Sequence, residues 1–86
     1  MTKKLYDIDS HIKEFEAQVI SCKEENGRYA VLLDRTAFFP EGGGQASDNG
    51  KLDIANVLDV QEKSGQIIHY TDLPLKEGGT FTGILD

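Results

Sequence analysis

The stretch FEAQVISCKEENGRYAVLLD, Phe15–Asp34, decides the fold. Its first part alternates: Phe15, Ala17 and Val19 fall on one side of an extended chain, and Glu16, Gln18 and Ile20 on the other. Glu24-Glu25-Asn26-Gly27 then reads as a hairpin turn, with Gly27 free to take positive φ, and Arg28–Asp34 returns as the partner strand. Working outward, the same grammar repeats. Leu5-Tyr6 reads as a brief first strand, and the polar run Asp7–Phe15 as a single helical turn capped by Asp9 or Ser10. Downstream, GKLDIA is a short strand and NVLDVQEK alternates through Val57 and Val60, with Leu58 between them. KSGQ is a second hairpin turn, QIIHYT its partner, DLPLKEGG a loop and TFTGILD the last strand. Six or seven short strands at close spacing, with no long helical period, predict an all-β fold: a small antiparallel barrel with at most one short helical turn.

A chain of 86 residues forms one domain with one modest core. Nine basic residues stand against 15 acidic ones, a net charge of −6, and the basic residues are scattered. A module that grips nucleic acid through its own phosphate contacts needs them clustered. No run is long and apolar enough to span a bilayer, and MTKKLYDIDS has a basic pair but no apolar signal core, so no membrane partner is expected. The lone Cys22 cannot form an internal disulfide and suits the reducing cytoplasm.

The candidate chemistry is sparse. His11 and His69 lie far apart, outside any paired metal-ligand spacing, so no metal is expected on this chain, and His69 reads as a strand residue at the barrel surface or end. Cys22 reads as a small half-buried strand residue; Lys23, Glu24 and Glu25 do not make the electropositive setting of a nucleophile. Most carboxylates sit in polar turns and read as solvated surface, with Asp48 set apart because it lies beside LDRTAFFPEGGGQASDNG, Leu33–Gly50. That segment is neither a Walker A loop, lacking the Lys-Ser/Thr and the following helix, nor a dinucleotide fingerprint, lacking a βαβ unit. Two readings of Gly42, Gly43 and Gly44 stay open. In one, they make a tight reversal, at least one with positive φ, while Phe38, Phe39 and Pro40 plug the barrel end. In the other, the bare backbone lets a substrate or another surface come close.

The same segment resembles the glycine-rich stretch of the alanyl-tRNA synthetase editing family. The resemblance runs upstream through KLYDID and FEAQVIS and downstream through VLDVQEKSGQIIHYTDLPLKEGG and GILD, covering nearly the whole chain in order. The loop follows the family pattern at Pro40, Glu41, Gly42, Gly43, Gly44, Gln45, Asp48 and Gly50; Phe39 departs from it, since many relatives carry Tyr there. The resemblance implies a barrel similar to the second domain of elongation factor Tu. It implies tRNA binding, ATP binding and translation fidelity as the functional setting, and tRNA(Ala) as the partner of a parent protein. Family members hydrolyse mischarged seryl- or glycyl-tRNA(Ala). The free-standing members follow their barrel with a larger editing domain, where zinc is held by a His-x-x-x-His motif and a later Cys-x-x-x-His motif. Neither motif is present here, so the chain is expected to be the N-terminal domain of a free-standing editing protein. Its residues Phe39–Gln45, Asp48 and Gly50 would then lie near the editing site and the neighbouring domain. The competing readings are a self-contained protein-docking barrel and an enzyme complete in these residues. The last lacks any nucleophile, base or metal constellation.

Overall fold

The computed structural model describes residues 2–9 and 11–86. Eight strands, β1 (Lys3–Lys4), β2 (Glu14–Glu25), β3 (Arg28–Leu33), β4 (Arg35–Thr36), β5 (Gly50–Leu52), β6 (Ala55–Lys63), β7 (Gln66–Thr71) and β8 (Thr80–Leu85), are joined by turns and one 3₁₀ turn over Leu5–Asp7. Six of them close an antiparallel barrel in the order β2-β3-β7-β6-β5-β8, while β1 and β4 pair in parallel outside it. The alternation of β2 is realised: Phe15, Ala17 and Val19 are buried, and Glu16, Gln18 and Ile20 are exposed. With Val31, Leu33, Phe38, Leu52, Val60 and Ile67 they fill the interior, as a barrel this narrow requires. The Asn26-Gly27 turn has positive φ at both residues, 54° and 84°, the geometry whose twist matches the flanking strands.

Four local expectations are corrected. Leu5 and Tyr6 are not a strand: the strand is Lys3–Lys4, and Leu5–Asp7 form the 3₁₀ turn, with the Ile8 and Asp9 N–H groups both donating to the Leu5 carbonyl. Among the described residues no helical turn follows Asp9; its carboxylate accepts the His11 N–H at 2.9 Å, and Ser10 lies outside the described residues. GKLDIA is not one strand but a hairpin, with Asp53 at φ 57° turning β5 into β6. The barrel plug is Phe38 and the buried Pro40; Phe39 instead lies outside, its ring tilted against that of Tyr6 with centroids 4.8 Å apart.

Three aspartates close irregular seams with the same two-way clasp. Asp34 donates its N–H to the Gln18 carbonyl and accepts the Gln18 N–H on its carboxylate at 2.8 Å. Asp72 does this with Asn56 and Asp48 with Phe39. The first two stand next to the bulges at Val19/Ser21 and Val57/Asp59, where the ladder register slips and backbone groups would lack partners. The Asn56 backbone and side-chain N–H groups hold the Asp72 carboxyl below the ordinary carboxylate range.

His69 is the largest departure. It is not at the surface: with Ile67 and Thr71 it faces the interior of β7, fully buried. Burial is tolerated because both ring nitrogens have partners, Nδ1 at 3.1 Å from the Val31 carbonyl and Nε2 at 2.7 Å from Thr36 Oγ1. Desolvation lowers its pKa from 6.5 to about 4, partly opposed by the bond to Val31. The folded chain therefore keeps His69 neutral down to about pH 4, whereas the unfolded chain takes up the proton near pH 6.5. This contribution is fully present above pH 6.5 and is lost as pH falls toward 4. Its size is up to roughly 3 kcal/mol. Denaturant unfolding of the wild type and His69→Gln at steps from about pH 7 to pH 4 should show their stability difference shrinking by that order. A difference independent of pH would contradict the buried neutral imidazole.

Candidate functional site

The glycine segment is built from the barrel wall outward. β4 delivers Thr36, Ala37 and Phe38 into the core, where the Phe38 ring meets Phe15 and His69 edge-on at 5.6 and 5.7 Å. At Phe39 the chain leaves the interior, and the Asp48 clasp pins the two stems of the loop together. Pro40 is buried, and the Glu41 N–H donates to the Val60 carbonyl at 2.8 Å, fixing the rising stem to β6. Gln61 Nε2 donates to Glu41 Oε1 at 2.7 Å and to the Asp59 carboxylate, continuing that attachment at the surface. Ser47 does the same for the returning stem, donating to Asp59 and accepting the Val60 N–H.

The tip is a two-residue hairpin. Gly42 and Gln45 exchange backbone hydrogen bonds at 3.2 and 2.9 Å, and Gly43 and Gly44 turn the chain with φ of 56° and 83°. Both central residues thus need a conformation that side chains resist, which accounts for two of the three glycines. Gly42 has no such φ, and a Cβ built on it would meet nothing within 4 Å. All three are exposed. Gly50 is different in kind: it is buried at the start of β5, and a Cβ there would strike the Ile84 carbonyl oxygen and press on Leu85 and Asp86 backbone.

Beside the hairpin lies an open cleft of about 480 Å³, bounded by the 3₁₀ turn on one side and Phe39–Gly43 and Gln45 on the other. Phe39 is 44% exposed, and its ring is held by Tyr6. Partial burial pushes the Tyr6 hydroxyl up from its ordinary pKa. Lys4 is bound to Glu62 at 2.7 Å, a bond that raises its pKa, and Asp7 and Glu41 add further negative charge. The cleft is therefore acidic and aromatic, unsuited to gripping phosphate through cations.

Residues 2–86 match the family described as tRNA synthetases class II (A). The chain belongs to this family, on its alanyl-tRNA editing branch. The alanyl-tRNA editing protein AlaX-M of Methanosarcina barkeri is 43% identical over 97 residues, covering all of this chain and 39% of that protein. AlaX-L of Pyrococcus horikoshii is 38% identical over 73 residues, 80% of this chain and 18% of its own. An alanine–tRNA ligase of Halorubrum lacusprofundi is 42% identical over 89 residues, 99% of this chain and 10% of the ligase. The chain thus spans between a tenth and two fifths of the length of these relatives.

Within this editing-family barrel, Phe39, Pro40, Glu41, Gly42, Gly43, Gly44, Gln45 and Asp48 share one hairpin and its base, while Gly50 belongs to the wall. Sequence reasoning missed three supports of that base: His69, Thr36 and Tyr6. The period-2 run Ile67-His69-Thr71 carried the signal for His69; the Tyr6 contact had none. The zinc that the family implies does not fit this chain's residues. His69 engages both nitrogens in the core, and Cys22 Sγ accepts the Leu75 N–H at 3.5 Å, so neither side chain is offered to a metal.

Alanine substitutions should separate these glycines. Gly43→Ala and Gly44→Ala are each expected to destabilise the fold by about 1 kcal/mol from backbone strain, and Gly42→Ala to change stability by only a few tenths. Gly50→Ala should be the most damaging, because the obstacle is backbone of β8 that cannot step aside. Thermal or denaturant unfolding of the four variants reads the order directly. A Gly42→Ala chain as unstable as Gly44→Ala would refute the assigned geometry.

Proposed function

We propose that this chain is the accessory N-terminal barrel of a free-standing, cytoplasmic aminoacyl-tRNA deacylase that clears serine or glycine from mischarged tRNA(Ala). A zinc-bearing catalytic domain follows it in the parent protein, and the hairpin Gly42–Gln45 faces that domain's editing site and the incoming tRNA end. Membership of the alanyl-tRNA editing family and the names of the AlaX relatives support the reaction class. The observation that carries the role of the loop is Gly42. Neither its φ nor any described atom of this chain calls for a glycine there, so the bare position leaves room for something outside the chain to approach closely. A firm base and a bare tip suit such an approach, since no side chain projects from Gly42, Gly43 or Gly44. His69 and Cys22 are not placed for catalysis at this tip, since both are committed to internal hydrogen bonds.

A second reading, a self-contained protein-docking barrel, draws on the exposed Phe39 and the carboxylates around it, which suit a protein surface better than bare RNA phosphate. One substitution distinguishes the two. In the parent protein, Gly42→Ala is expected to lower kcat/KM for seryl-tRNA(Ala) by about tenfold or more while the melting temperature holds. The 86-residue chain alone is expected to show no deacylation. Activity that merely follows stability across the Gly42, Gly43 and Gly44 alanine variants would reduce the hairpin to a turn.

A further inference from the structure

We infer that His69 is a positioning residue for the glycine hairpin, setting through Thr36 and Phe38 where the chain leaves the barrel and hence where the tip stands. Where the hairpin meets a substrate, the inference rests on the function proposed above; the positioning itself does not.

The bond directions are fixed by chemistry. The Val31 carbonyl can only accept, so the His69 proton is on Nδ1. Nε2 is then an acceptor, and the Thr36 hydroxyl must donate to it. With its proton so committed, Thr36 Oγ1 offers a lone pair to the Phe38 N–H at 3.0 Å. The result is one ordered chain from the β3 backbone, through β7 and β4, to the last core residue before the hairpin. Each link is buried, so each is stiffer than a surface bond and costly to leave unmade. The next residue, Phe39, is already in the Asp48 clasp, so a displacement at Thr36 has only Ala37 and Phe38 in which to dissipate.

A histidine is an expensive way to fill this space. A leucine of similar bulk would meet the same apolar neighbours, Val31 and Val60 in register and the edge of Phe38, without desolvating a polar ring. What leucine cannot do is accept the Thr36 proton. The hydroxyl would then seek another acceptor and turn its lone pairs away from Phe38. The other ties of the hairpin to the barrel wall, Glu41 to Val60, Gln61 to Glu41, and Ser47 to Asp59 and Val60, run to β6. The His69 chain supplies the anchor from β3 and β7, and two anchors from different walls fix an orientation that one leaves free to swing.

Hydrogen exchange by NMR on the 86-residue chain tests this without reference to activity. The reporters are the Phe38, Phe39, Glu41 and Gln45 amides at the hairpin, against Val19 and Leu85, whose N–H groups bond to Gly79 and Lys13 carbonyls across the β2–β8 side. His69→Leu and Thr36→Val should each raise exchange at the hairpin amides by about tenfold or more relative to the references, and Thr36→Ser, which keeps the hydroxyl, should restore protection. The wild-type ring should show the Nδ1–H tautomer by its nitrogen shifts. Equal acceleration at hairpin and reference amides would mean a merely structural histidine and overturn the inference, as would unchanged hairpin exchange or an Nε2–H ring. Should His69→Leu not fold, the Thr36→Val and Thr36→Ser pair decides alone. In the parent, Thr36→Val should raise KM for seryl-tRNA(Ala) more than it lowers kcat, with Thr36→Ser close to wild type. Hairpin amides loosened without any change in deacylation would sink the proposed function and leave the positioning role standing.

Discussion

The hydrogen bond between Thr36 and the buried imidazole of His69 is the joint at which the barrel and its loop become one object. A closed six-stranded barrel has little interior, and a polar ring there is tolerated only if every polar atom is matched. Meeting that demand ties β7 to β3 on one side and to the strand entering the glycine segment on the other. Phe38, packed edge-on against the same ring, then sets the point where the chain emerges. The exposed hairpin is consequently not a floppy connection but the outward end of a core network.

The acidic composition also has a structural side. Asp34, Asp48 and Asp72 each replace a ladder pair with a clasp between a backbone N–H and a carboxylate. Two of these clasps stand at bulges and the third at the neck of the hairpin. An aspartate suits these places because its short side chain returns to a nearby backbone donor without bridging water. Negative charge that would look like a solvated surface in sequence is partly the means by which the barrel accommodates its irregular seams.

Around the hairpin, two constraints are separable. Gly43 and Gly44 answer to the chain's own backbone, and Gly50 to the close approach of β8. Gly42 answers to neither. In a chain of the alanyl-tRNA editing branch that spans at most two fifths of the relatives compared with it, an unexplained bare position on a rigid projection directs attention to what lies opposite. The aromatic and acidic cleft beside it narrows the chemistry of that neighbour further, since Lys4, the cation among the described residues lining it, is already committed to Glu62.

The strands of the barrel were legible because burial on one face writes a period of two into Phe15–Val19, and because Asn26-Gly27 and Ser64-Gly65 mark reversals that few other residues make. The glycine segment and its family were legible too, because Pro40–Gln45 is a rare local pattern. The sequence alone did not separate the three glycines, since φ depends on the Gly42–Gln45 bridge that closes the turn. Nor did it reveal the Asp53 turn, where a non-glycine residue takes positive φ under the pull of strand pairing on both sides. Tyr6 against Phe39 and His69 against Thr36 join residues 33 positions apart in each case. Such contacts exist only once the barrel has closed and β1 has paired with β4: the period of two in Ile67-His69-Thr71 marks the buried face of that strand but not the partner of its histidine, and no local preference marks the aromatic partner of Tyr6. Local periodicity determined the elements and their faces; barrel closure decided which side chains became the foundation of the site.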